Sequence, residues 1–77
     1  MSWREENNAL HKTFEFADFK EALTWMVKAS FEIETMNHHP EWTNVYNKVE
    51  VKLTTHDEGN KVTDKDRALA KRLDSIK

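Results

Sequence analysis

Glu34, His38, His39 and His56 are the side chains in this 77-residue sequence whose types and spacing point to chemistry. His38 and His39 are adjacent and stand directly before Pro40, which drives the residue ahead of it out of the α region. A helix running up to them therefore ends there, and the pair sits at a helix-to-strand corner, where side chains can face a pocket. Glu34 precedes His38 by four residues, a separation that sets two side chains beside each other on a last helical turn. His56 lies at the far end of the β-branched stretch that follows. Imidazoles with a carboxylate give and take protons near neutral pH. Taken singly, each has an ordinary explanation: a lone histidine is most often a surface or satisfied core residue, and Glu34 could be a solvated helix residue. The cluster is what favours chemistry. The same set could hold a metal ion, but no His-x-His or His-x3-His spacing supports that, and no metal is expected.

The elements that position these residues can be read from the periodicities. Leu10, Phe14 and Phe16 alternate with His11, Thr13 and Glu15, the pattern of a strand with one buried face. Asn7-Asn8 suits a tight turn before it, so the first element is a β-hairpin with Trp3 in its shorter arm. Asp18 opens a helix, with Glu21 in an acidic variant of the capping box. The helix is expected over about Phe19 to Met36, ending at Asn37-His38. Its apolar stripe of Phe19, Ala22, Leu23, Met26, Ser30 and Ile33 is widened by Trp25, Ala29 and Met36 on one flank and by Val27 on the other. A stripe that wide calls for a partner beyond one sheet, and in a short chain a second copy is the natural one. Thr43 to Thr55 alternates without a break, with Val45, Val49, Val51 and Leu53 on one parity. It reads as one long strand or as a hairpin about Asn47. Thr55 to Asn60 is a loop holding the chain's one glycine. Thr63 caps a last helix with Asp66 at its third position, where a carboxylate satisfies backbone N–H groups. Leu69, Leu73 and Ile76 form that helix's stripe.

Composition limits the classes open to the chain. Seventy-seven residues make one domain, 1–77, near the lower end of what folds alone. It has no cysteine, so disulfides and thiolate chemistry are excluded. A net charge of −2 with both signs interspersed argues against a nucleic-acid footprint. No apolar run reaches membrane length and no signal-peptide core stands at the N-terminus, so a cytoplasmic protein is expected. The order of strands and helices gives an α+β two-layer sandwich.

The spaced set Glu34-x3-His38-His39-Pro40-x5-Tyr46-x9-His56-x9-Asp66 resembles the signature of the pterin-4a-carbinolamine dehydratases, the 4a-hydroxytetrahydrobiopterin dehydratases. The run from His38 to Val49 is similar to the family's core almost residue for residue. Leu53-Thr54-Thr55-His56, the helix from Thr63 to Leu73 and Phe14 to Phe19 fit as well. The resemblance implies a β-β-α-β-β-α fold on a four-stranded antiparallel sheet with the helices on one face, and so favours the hairpin about Asn47. It implies removal of water from a 4a-hydroxytetrahydropterin to give the quinonoid dihydropterin, with no cofactor, the pterin being the substrate. That substrate arises from aromatic amino-acid hydroxylases, so functional coupling to phenylalanine hydroxylase is expected, as are homodimers or tetramers packed through the long helix. His38, His39 and His56 are the implied catalytic residues, with His38 as base toward the ring and His39 or His56 as acid toward the hydroxyl. Glu34 would orient His38. Asn37, Pro40 and the backbone at Thr54, Thr55 and Asp57 would line the pterin pocket, with Trp3 and Trp42 as aromatic walls. The sequence departs from the family where Asn37 replaces an aspartate common before the histidine pair, and it starts near the first strand, so the additional N-terminal helix of many relatives is not expected. The alternative is a binding module, since some relatives act as dimerisation cofactors of a transcription factor.

Overall fold

The computed structural model describes residues 3–76. Its elements are β1 (Arg4–Glu6), β2 (Ala9–Glu15), α1 (Phe19–Met36), β3 (Glu41–Val45), β4 (Lys48–Leu53), a 3-10 turn over His56–Glu58 and α2 (Asp64–Asp74). The strands form one four-stranded antiparallel sheet in the order β1-β2-β4-β3. This is the expected α+β architecture. Trp3 falls just ahead of the first strand.

Register decides which side chains the sheet gives to the helices. Leu10 pairs with Leu53, Lys12 with Val51, Phe14 with Val49, and Trp42 with Val51. These side chains face the core, because directly opposed residues share a sheet face. Leu10, Val49, Val51 and Leu53 meet Ala22, Trp25, Ala29 and Ile33 of α1 and Leu69, Ala70 and Leu73 of α2 there. An aromatic seam runs beside them: ring centroids lie 4.5 Å apart for Phe14–Trp25, 5.6 Å for Phe16–Trp25 and 6.3 Å for Trp25–Trp42. Lys12 shares this inward face, and its Nζ reaches Asp74 Oδ1 at 2.6 Å. The opposed outer positions, His11, Thr13, Glu50 and Lys52, are polar.

The stretch from Thr43 to Thr55 is a hairpin, turning at Tyr46-Asn47. A two-residue turn pairs Val45 with Lys48. Val45 therefore faces outward and is 73% exposed, although its parity in the sequence matches buried Val49. Asn7 and Asn8 both have positive φ, as the β1–β2 turn demands. Asp18 caps α1 by accepting from Glu21 N–H at 2.8 Å, and Glu21 reaches back to Ala17 N–H rather than to the cap residue itself.

The face of α1 differs from the expected stripe. Trp25, placed on its flank by the sequence, is 5% exposed and central to the core. Phe19, Leu23 and Val27, counted within the stripe, are largely exposed, together with Phe31. The wheel is shifted because Trp25 fills the space between Phe14, Phe16 and Trp42, turning the line through Phe19 and Leu23 away from the sheet.

Candidate active site

The site forms where the C-terminus of α1, the end of β4 and the start of α2 meet. Asn37 ends α1 in the left-handed region at φ 50, and its N–H bonds to the carbonyls of Glu34 and Ile33. Asparagine tolerates that conformation, and the reversal throws His38 and His39 off the helix axis in different directions. After β4, the chain closes on itself: Thr55 N–H donates to Lys61 O at 2.9 Å, and Asn60 N–H to Thr55 O at 3.1 Å. Gly59, at φ 81, ends the 3-10 turn and returns its N–H to His56 O. His56 is thereby held on a tight turn facing the α1 corner.

His38, His39 and His56 line one open cleft of about 170 Å³ with Asn37, Thr54, Thr55, Asp57 and Lys65. A wider hollow of about 630 Å³ shares His39, Thr54 and His56 with it and adds Pro40, Asn8 and Lys52. A larger groove of about 970 Å³ runs along β2, α1 and the end of α2, floored by Phe14, Phe16 and Trp25. It contains no imidazole, so the chemistry belongs to the smaller cleft.

Each imidazole of the cleft has a different anchor. His38 Nε2 lies 2.6 Å from Asp66 Oδ1, and His39 Nε2 lies 2.7 Å from Glu34 Oε2. A carboxylate oxygen accepts, so Nε2 carries the proton in both rings and Nδ1 is left to exchange one. His56 Nδ1 donates to Asn60 Oδ1 at 2.9 Å, leaving its Nε2. Among the described residues, no group of three or more His, Asp or Glu side chains is gathered as an ion's ligands would be.

The two carboxylate pairs differ in setting. Glu34 and His39 are exposed, whereas His38 is half-buried and Asp66 fully so. Burial pushes the Asp66 carboxyl up. Hydrogen bonds from His38 and Thr55, the Thr63 backbone N–H and the charge of His38 together outweigh that and hold it below the usual carboxylate value.

Two expectations need correction. Glu34 pairs with His39, not His38, because α1 stops at Met36 and the i, i+4 relation no longer applies to His38. Trp3 and Trp42 line neither cleft. Trp42 faces the helices opposite Val51, and Trp3 packs edge-on to Phe14 at 5.8 Å with its indole N–H on Asp74 Oδ2. Asp66 caps α2 as expected, and it also anchors His38 across 28 positions, a contact that its place in the spaced set did not by itself announce. Lys65 and Asn60 were not singled out from the sequence. Asn60, four residues from His56, offered a weak signal and Lys65 none.

The four-stranded antiparallel sheet with two helices is a fold shared with pterin dehydratase structures. The family model for pterin 4 alpha carbinolamine dehydratase matches residues 1–76, and the chain belongs to that family. It is 55% identical over 74 residues to a protein of Opitutus terrae provisionally named pterin-4-alpha-carbinolamine dehydratase, covering 96% of this chain and 76% of that one. A provisionally so-named protein of Solibacter usitatus is 48% identical over 75 residues, covering 97% and 78%. The crystal structure of a transcriptional coactivator/pterin dehydratase from Brucella melitensis superposes with a TM-score of 0.90 at 39% identity, over 96% of this chain and 80% of that one. A pterin dehydratase-like protein identified as a RuBisCO assembly factor in the alpha-carboxysome shares the fold, with a TM-score of 0.82 at 24% identity, over 97% and 88%.

Proposed function

We propose that this protein removes water from a 4a-hydroxytetrahydropterin to give the quinonoid dihydropterin, by acid–base catalysis in the His38/His39/His56 cleft. The observation that carries the reading is the convergence of three imidazoles on one cleft, each fixed through one ring nitrogen by a separate acceptor. The reaction needs a proton placed on the leaving 4a-hydroxyl as the carbon–oxygen bond breaks, and a proton taken from a ring nitrogen. His38 suits the second task, since the Asp66 carboxylate stabilises the imidazolium that a base becomes. His56 suits the first: its partner is a neutral amide, which offers an imidazolium no such stabilisation. His39, on Glu34, lines the same cleft. The pterin needs no cofactor, and an aromatic amino-acid hydroxylase such as phenylalanine hydroxylase would supply it. Self-association through the exposed line of α1 accompanies this reading.

The test is the rate of ultraviolet loss of the 4a-hydroxy species. His38→Ala, His39→Ala and His56→Ala should each lower it by about tenfold or more, the lower range of what a positioned acid or base contributes. Circular dichroism should show the fold intact. Wild-type rates in all three variants would overturn the assignment.

The second reading is a binding module. It draws on the coactivator name of the Brucella protein and on the exposed apolar line of α1. A scaffold of that kind tolerates loss of the three histidines, and its wild type leaves the unaided dehydration rate unchanged.

A further inference from the structure

Just past β4, Thr55 carries a hydroxyl that the chemistry above does not use. Thr55 is 2% exposed, and its Oγ1 donates to Asp66 Oδ2 at 2.7 Å. A threonine hydroxyl has one proton to give. The 2.6 Å contact between Thr55 Oγ1 and Thr63 Oγ1 therefore has Thr63 donating. Thr63 N–H reaches the same carboxylate oxygen at 2.9 Å. Oδ2 is thus held by two donors, and Oδ1 is left for His38 Nε2. Asp66 is 0% exposed, so water cannot replace a donor that is removed. The plane of the carboxylate, and with it the place of Oδ1 against the imidazole, is set from the Oδ2 side.

We propose that Thr55 is a positioning residue for His38: its buried hydroxyl locks the Asp66 carboxylate so that Oδ1 keeps the imidazole in the Nε2–H tautomer, with Nδ1 free to exchange a proton. Thr55 lines the cleft, and its hydroxyl acts on the chemistry through Asp66 and His38. The catalytic consequence rests on the dehydratase reading, whereas the hold on His38 does not. The other charged or titratable groups facing this pair are Lys65 of α2, His56 and Asp57 of the 3-10 turn, and His39 with its partner Glu34. None of them bonds to Oδ2; deleting the Thr55 donor leaves Thr63 N–H there and also takes from the Thr63 hydroxyl its acceptor.

Thr55→Val removes the donor and keeps the shape, whereas Thr55→Ser keeps the donor. In Thr55→Val, nitrogen NMR of the imidazoles should show His38 leaving the uniform Nε2–H tautomer. Carbon NMR should show the Asp66 carboxyl titrating higher, because one of the hydrogen bonds that holds it down is gone. In the dehydration assay kcat should fall about tenfold with KM within about a factor of two, the signature of a loss felt only in the transition state. Thr55→Ser should match the wild type in all three readouts. Should Thr55→Val fail to fold, Thr55→Cys, with its weaker S–H donor, should give a partial loss of the tautomer. Unchanged His38 nitrogen shifts in the folded donor variant overturn the proposal, even if activity falls. Shifted His38 signals in a protein whose wild type does not dehydrate the pterin uphold the positioning and overturn the functional reading instead.

Discussion

At the scale of residues, two imidazole–carboxylate pairs of nearly equal length have opposite energetic weight. The Glu34–His39 pair is surrounded by water, with side-chain exposures of 76% and 56%. Exposed pairs contribute little, so Glu34→Ala should change unfolding free energy by no more than about 0.5 kcal/mol. It should nonetheless slow dehydration, because His39 loses the group that orients it; urea melts and initial rates on the same sample separate the two effects. Asp66 is buried without contact to solvent, and every oxygen it carries is occupied. Asp66→Asn leaves its donors facing an amide, and the cost should be about 3 kcal/mol, the scale of a buried pair broken from one side. The same carboxyl gives stability a pH dependence. Its folded value lies below the ordinary one, so the folded state binds this proton more weakly than the unfolded chain does. The stabilisation is fully present above the unfolded value of about 3.9 and is lost as pH falls through the lower, folded value. Urea midpoints measured from pH 6 downward should therefore drop below about pH 4, and Asp66→Asn should flatten that drop. An equally steep drop in the variant would place the acid sensitivity in another group.

At the scale of elements, the turns decide where the chemistry sits. Gly59 at φ 81 closes the 3-10 turn that carries His56. A Cβ there would meet no atom within 4 Å, so the cost of Gly59→Ala is conformational, about 1 kcal/mol for a left-handed residue. It should appear as a lower melting temperature and faster amide exchange over His56 to Asn60. Unchanged exchange there would mean that the turn has another route to the same geometry. The turns also explain what the sequence did and did not disclose. β2, α1 and α2 were legible because their apolar residues repeat with the period of the element over seven to eighteen residues. The β3–β4 turn was not legible in pattern, because a two-residue turn preserves alternation while exchanging faces, as Val45 shows. Trp42 was placed on the pocket wall by the family resemblance, whereas its register with Val51 turns it toward the helices, and a single strand's pattern does not contain that register. The pairing of Glu34 was not legible, because α1 ends at Met36, two residues before His38, and the helical relation does not extend that far. The histidine corner itself was legible, since Pro40 fixes where α1 must end. The Asp66 anchor was not, because it depends on how α2 docks against that corner.

At the scale of the whole molecule, the question is what covers α1. Phe19, Leu23, Val27 and Phe31 recur every four residues along its outer face, at 48%, 45%, 53% and 68% exposure. Such a line forms a contiguous apolar patch, which small monomeric proteins rarely leave in water. A second copy offering the same line would bury it through a two-fold contact, and would add core to a chain near the lower size limit for independent folding. The residue that tests this is not Trp25. At 5% exposure and packed on Phe14, Phe16 and Trp42, it belongs to the protomer, and Trp25→Asp should unfold the chain with a loss of about 3 kcal/mol or more. Leu23→Asp and Phe31→Asp place charge on the outer line at residues outside the core, so each should alter the intrinsic stability of the protomer by only about 0.5 kcal/mol. Sedimentation velocity at micromolar concentration should show the wild type as a dimer or larger and the double variant as a folded monomer. The wild type's melting temperature should also rise with protein concentration, because a partner that binds only the folded state stabilises it by mass action. The double variant should lose that dependence. A wild-type chain that sediments as a folded monomer, with a melting temperature independent of concentration, would leave the α1 line without a second copy to cover it.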